Sequence, residues 1–197
     1  AVNTVPGLIG TILTMTMIMF TGLAMTRERE RGTMENLLAT PVRPAEVMLG
    51  KIAPYVVIGY VQLMVILGAA WVLFAVPMVG SRPLLGAMIG VFIVANLAVG
   101  FTFSTLARNQ LQAVQMTLFF FLPSILLSGF MFPFRGMPRW AQAIGEVLPL
   151  THFLRIVRGI MLKGSTLTEL LPELGALLAF TALVSALALL RYRQTLD

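Results

Sequence analysis

Few side chains in this sequence can make or break bonds, and their spacing narrows the field further. There is one histidine, His152, and no cysteine, so disulfides, thiolate metal ligands and histidine-based metal clusters are out of reach. His152 lies in a run where Phe153, Ile156, Val157, Ile160 and Met161 share one helical face, opposite His152, Arg155 and Arg158. A lone histidine so placed is ordinarily a polar-face residue. Gly50-Lys51 invites a phosphate-loop reading, but Ala45 stands where the first glycine must be and Ile52 where a hydroxyl must reach Mg²⁺. The chain is therefore not expected to bind or hydrolyse ATP, to carry a cofactor or metal, or to be an enzyme. Gln62, Asn96 and Gln115, with Gln112, are polar groups within or at the ends of apolar runs. Such groups need partners in lipid. They read either as interhelical hydrogen bonds, worth about 0.6 kcal/mol each, or as the polar lining of a substrate path.

The densest polar stretch runs from Arg27 to Lys51. It holds nine of the chain's 22 charged residues. Within it Met34, Leu37 and Leu38 are spaced i, i+3, i+4 and form an apolar stripe bracketed by Gly32 and Pro41. That pattern predicts an amphipathic helix, either lying on the lipid surface or docking a partner protein.

The rest of the chain must position these residues. Of its 197 residues 58% are hydrophobic and only 11% charged, with a mean hydropathy of +0.90. A soluble domain carries about 25% charged residues. Five runs approach or exceed the roughly 18 residues needed to cross a bilayer, which predicts an all-α, polytopic helical membrane protein in one transmembrane domain. The runs lack the period-two alternation of a membrane β-barrel. The spans are expected over about 5–25, 52–76, 84–106, 113–132 and 170–190, with a connector over 27–51. Gly86 and Gly90 form a Gly-x-x-x-Gly pair suited to close helix approach. Pro123 is expected to bend or break the fourth span. Residues 133–164 carry too many charges for a lipid-facing span and read as two short amphipathic helices, in the interface or dipping in and returning. Thr151 is expected to cap the second and Gly164 to stop it.

The net charge of +6 is read as topology signals and contact with anionic lipid, with no nucleic-acid partner. Arg27, Arg29, Arg31, Arg43 and Lys51 crowd one short connector. Positive residues next to span ends stay in the cytoplasm, which places the connector and the C-terminus inside and 133–164 outside. A first span that starts outside, in a chain beginning with Ala1, is expected to follow a missing N-terminal region.

Three blocks then match a known family. Glu30-Arg31-Gly32-Thr33-Met34-Glu35-Asn36-Leu37, followed by Pro41, Glu46 and Gly50-Lys51, resembles the E-x-G-T-x-E-x-L connector of ABC-2 type transporter permeases. Pro123 to Pro133, with Ser128-Gly129 inside, is similar to that family's P-x-x-x-x-S-G-x-x-x-P segment. Met137-Pro138-Arg139-Trp140 and Leu148-Pro149-Leu150-Thr151-His152-Phe153 look like its motif after the fifth family span. The resemblance implies the transmembrane subunit of a bacterial ABC exporter in the inner membrane, of the multidrug-efflux-like branch. It also implies ATP hydrolysis on a separate ATP-binding subunit and a second permease subunit as partner. Family members have six spans, so a five-span chain would be a C-terminal piece. The resemblance gives Gly32, Thr33, Met34, Glu35, Leu37 and Leu38 the ATPase-coupling role. It makes 133–164, with Ser128, Gly129, Pro133 and Pro149, an outer and partly re-entrant gate. The competing classes are an intramembrane enzyme, which would need paired acids or a histidine cluster at membrane depth, and a non-transporting scaffold.

Overall fold

Helices dominate because long apolar runs in a membrane can satisfy their backbone groups only internally. The computed structural model describes residues 4–31, 43–76 and 78–194, and among these no strand occurs. Seven α-helices follow in order: α1 (Thr4–Glu30), α2 (Pro44–Phe74), α3 (Arg82–Leu106), α4 (Gln110–Leu127), α5 (Arg139–Val147), α6 (Pro149–Arg158) and α7 (Leu167–Gln194). A 3₁₀ turn, Phe134–Gly136, precedes α5, and a π-turn, Gly159–Lys163, follows α6. Five helices are long and apolar enough to cross a membrane, by length and composition. They coincide with the five expected spans to within a few residues at each end, the fourth excepted.

α1 and α3 form the buried centre. Ile9, Leu13, Met17 and Ile18 of α1 pack with Ile89, Phe92, Ile93, Leu97 and Phe101 of α3, all fully enclosed. The two helices approach at backbone level, because a Cβ on Gly100 would stand 2.6 Å from the Ile18 carbonyl oxygen. Thr14, Thr21 and Thr26 return their hydroxyl protons to the carbonyls of Gly10, Met17 and Gly22, so the threonine-rich α1 buries no unpaired hydroxyl at these positions. α2, α4 and α7 lie outside. Their outward faces expose Val61, Val65, Trp71, Phe119, Leu183 and Leu187, a surface that water would not tolerate and lipid or further protein would.

Pro123, expected to bend or break the fourth span, lies inside α4 without breaking it; a membrane helix tolerates the one backbone bond lost there. Two local expectations are corrected. α4 instead ends at Leu127, short of 132, with Ser128 as its C-cap and Gly129 at φ +92° turning the chain. Leu148 rather than Thr151 caps α6, since Pro149 fills the first helical position, where its missing N–H costs nothing. Gly164 does stop the segment, in the left-handed region at φ +65°, though only after the π-turn.

Gly90 accepts a side chain rather than a backbone, while nothing stands within 4 Å of a Cβ added at Gly86. Tyr60 of α2 lies against Gly90, where a Cβ would collide with its hydroxyl, and donates that hydroxyl to the Gly86 carbonyl at 2.8 Å.

Candidate functional site

The bundle has two polar ends, and α1 reaches both. At the connector end α1 continues past its apolar part through Arg27 to Glu30. There Lys51 of α2 pairs with Glu28. The Glu30 carboxylate accepts two hydrogen bonds from Gln110, one from the backbone N–H at 2.8 Å and one from the side-chain amide at 2.7 Å. Those bonds hold the Glu30 carboxyl below the usual carboxylate range. They also place a negative charge at the N-terminus of α4, where the helix dipole favours it. α2 opens with the Arg43 N–H donating to the Glu46 carboxylate at 3.3 Å. Gly32, Thr33, Met34, Glu35, Leu37 and Leu38, expected from the resemblance to couple to the ATPase, lie outside the described residues, between α1 and α2.

At the opposite end the segment between α4 and α7 folds back into the bundle. Of the two short helices expected here, α5 exposes Arg139, Trp140 and Ile144, whereas α6 is packed inside the bundle. Leu150, Phe153, Leu154, Ile156 and Val157 are enclosed. Phe153 stacks on Phe92 of α3 with centroids 3.9 Å apart, and Leu150 and Phe153 close over Gly10 of α1. The α2–α3 loop joins this end, with the Val79 N–H donating to the Met161 carbonyl at 3.2 Å.

The polar face of α6 is covered too, and this is what sequence reasoning missed. His152 is buried. Its Nδ1 faces the Glu173 carboxylate of α7 at 2.5 Å, and its Nε2 faces the Glu146 backbone carbonyl of α5 at 2.6 Å. Arg155 bridges both acids, at 2.7 Å to Glu146 and 3.3 Å to Glu173. Its guanidinium also lies 4.8 Å from the Phe134 ring centroid. Hydrogen bonding to Arg155 holds the Glu146 carboxyl below its usual range, and the same bond raises Arg155. Among the described residues Arg158 donates at 3.5 Å to the Gly129 carbonyl just past α4, and burial lowers its guanidinium from the ordinary value. Four elements are thus tied together through one face of a ten-residue helix.

The expected gate residues gather at this end. Ser128 is buried, Gly129 turns the chain and offers its carbonyl to Arg158, Pro133 leads into the 3₁₀ turn, and Pro149 starts α6. The polar residues of the spans are not gathered. Gln62 accepts from Thr16 across the α1–α2 contact at 2.9 Å. Asn96 is fully enclosed, donating to the Phe92 carbonyl at 3.0 Å, while its Oδ1 has no partner among the described residues. Gln115 is exposed on α4, in a groove of about 840 Å³ with Phe103, Arg108, Gln112, Phe119 and Pro123. Among the described residues no group of three or more His, Asp or Glu is placed to hold a metal ion.

Among the described residues, an all-helical bundle with five helices of membrane-spanning length and apolarity defines a polytopic helical membrane protein. The sequence pattern of the ABC-2 type transporter family matches residues 1–162, and the chain belongs to that family. It is similar to the "Probable multidrug ABC transporter permease YbhS" of Escherichia coli (strain K12), 32% identical over 194 residues, covering 98% of this chain and 52% of the relative. The "Inner membrane transport permease YhhJ" of the same strain is 34% identical over 189 residues, covering 93% and 50%. The "Linearmycin resistance permease protein LnrN" of Bacillus subtilis (strain 168) is 26% identical over 161 residues, covering 82% and 42%. The chain spans about half the length of the first two relatives.

Proposed function

We propose that this chain is part of the membrane-spanning permease subunit of an ABC exporter, driven by ATP that a separate ATP-binding subunit hydrolyses. One observation carries the mechanical part of the reading. α1 is a single helix of 27 residues, about 40 Å long at 1.5 Å per residue. One end runs straight into the connector, and the other lies under α6. A rod of that kind carries a push on the connector to the far end without needing to bend.

In this reading Met34, Leu37 and Leu38 pack on the ATP-binding subunit and Glu35 makes a charge-assisted contact with it. The connector and C-terminus face the cytoplasm, following the crowding of Lys and Arg there. The segment 133–164, with Ser128, Gly129, Pro133 and Pro149, forms the outer gate. Gln115 and the aromatic groove around it face a second permease subunit, which completes the substrate path. The multidrug naming of one relative supports apolar or amphipathic cargo, which an aromatic-lined groove would accept. Affinity purification of the full-length permease from its native membranes tests the central point. A stoichiometric subunit with a phosphate-binding loop is expected to co-purify. Recovery of the permease free of any such subunit, under conditions that preserve membrane complexes, would contradict it.

A further inference from the structure

A cleft between α2 and α3 belongs neither to the gate segment nor to the connector. It encloses about 420 Å³, inside the range of roughly 300–1,000 Å³ typical of small-molecule sites. Tyr60, Met64, Leu67 and Trp71 of α2 form one wall, recurring at helical spacing on one face. Gly86 of α3 and Met161 of the π-turn lie across from them. The end at the α2–α3 turn is pinned. A Cβ at Gly80 would collide with the Ile160 carbonyl oxygen, and the Val79 N–H donates to the Met161 carbonyl at 3.2 Å.

Three features say what fills it. The cleft borders the outward face of α2, where Met64 and Trp71 are 68% and 73% exposed and Val72, Leu73 and Phe74 follow; in a membrane that face meets lipid. Its length is that of one leaflet. Tyr60 and Trp71 are eleven residues apart, about 16 Å at 1.5 Å per residue, and half of a hydrocarbon core of about 30 Å is about 15 Å. Its inner part has room and makes no polar demand. Nothing stands within 4 Å of a Cβ placed on Gly86, and the Tyr60 hydroxyl already donates to the Gly86 carbonyl.

The head group follows from charge. Among the described residues Arg82 is the one charged group lining the cleft; it is exposed and enters no ion pair. Lys163, exposed two residues past Met161 in the π-turn, adds positive charge at this end. Of the acids here, Glu146 and Glu173 are held by Arg155, and Glu169 lies in the first turn of α7. A phosphodiester therefore finds a cation on the cleft, whereas a head group that also carries an ammonium finds no acid in its lining.

We propose that the α2–α3 cleft binds an anionic phospholipid of the phosphatidylglycerol kind, one acyl chain lying along α2 between Trp71 and Tyr60 and the phosphate on Arg82. The chain packs against Met161 and so ties α2 to the π-turn that follows α6. The inference uses only the membrane setting of the bundle. It depends neither on which side the turn faces nor on the ATP-binding subunit.

The test is photocross-linking in proteoliposomes of the full-length permease. The probes are phosphatidylglycerol and phosphatidylcholine with the same diazirine-bearing acyl chain, each at trace level in unlabelled phosphatidylcholine, with cross-linked residues read by mass spectrometry. Cross-links at Met64, Leu67 and Met161 report the cleft. Those at Leu183, 63% exposed on α7, report lipid contact outside it. The ratio of cleft to α7 cross-links is expected to be on the order of fivefold higher for phosphatidylglycerol, the scale of one exposed ion pair. Arg82→Gln should lower it to the phosphatidylcholine value, and Arg82→Lys should keep most of it. Gly86→Leu fills the cleft from within, on a helix where leucine is better tolerated than glycine. It should remove the cleft cross-links of both probes and leave those at Leu183. Equal ratios for the two probes in the unmodified protein overturn the proposal without recourse to any variant. So does an undiminished cleft ratio in Arg82→Gln or Gly86→Leu. Displacement of the cleft cross-links alone by Nile red, a neutral apolar dye, would give the cleft to cargo and overturn the lipid assignment.

Discussion

Gly100→Ala is the sharpest test of how the bundle centre is built. An added Cβ would lie 2.6 Å from the Ile18 carbonyl oxygen, 2.9 Å from Thr21 Cβ and 3.1 Å from Ile18 Cα. Ordinary contact begins at 3.4 Å, so α1 and α3 must part by most of an ångström. None of these atoms is the free end of a flexible side chain. Two belong to the α1 backbone, and Thr21 is anchored by its hydroxyl bond to the Met17 carbonyl at 2.9 Å. Overpacking of this kind costs about 1–3 kcal/mol. Better helix propensity returns up to about 1 kcal/mol. The net loss is on the order of 1–2 kcal/mol, or about 2–8 °C in Tm for a domain of this size. The assay is thermal unfolding of the solubilised full-length permease, with Gly68→Ala as reference because nothing stands within 4 Å of its Cβ. If Gly100→Ala unfolds at the same temperature as Gly68→Ala, the close approach of α1 and α3 is refuted.

Three further outcomes are expected. The Glu146 carboxyl is held low by Arg155, so the pair's contribution is present at neutral pH and fades as pH falls through that lowered value; Arg155→Gln should therefore cost about 0–1 kcal/mol at pH 7 and less in acid, read by thermal unfolding at several pH values. Tyr60→Phe removes the bond to the Gly86 carbonyl and should cost about 0.5–1.5 kcal/mol in the same assay. Single cysteines at Asn36 or Thr195 should resist an impermeant thiol reagent in intact cells while Gly80→Cys and Gly136→Cys react, and the reverse pattern would invert the topology.

The spans were legible because an uncharged run of bilayer length has few other fates. Their ends were less so. α1 runs on to Glu30 because its charged residues find Lys51 and Gln110 on other helices, and no local pattern announces such partners. At α6 the period placed Phe153, Ile156 and Val157 on the core side correctly. It also put His152, Arg155 and Arg158 on a polar face, but periodicity cannot distinguish water from a carboxylate brought in by another helix. Glu173 is 21 residues away from His152, at the start of the next span, and no local spacing links the two. Thr151 was a plausible cap until Pro149 took the first turn. The three family blocks were a specific signal together, and residues 32–42 of the connector block lie outside the described residues.

The central claim is that the connector transmits work from a separate ATPase. The direct measurement is ATP hydrolysis by the partner subunit reconstituted with the full-length permease, alongside recovery of the complex by affinity capture. Leu37→Asp and Glu35→Lys should insert and fold normally, lose most of the captured ATPase, and abolish any change in hydrolysis that the unmodified permease produces. Full capture and unchanged coupled hydrolysis in both variants would contradict the claim and leave the connector as a structure on the lipid surface.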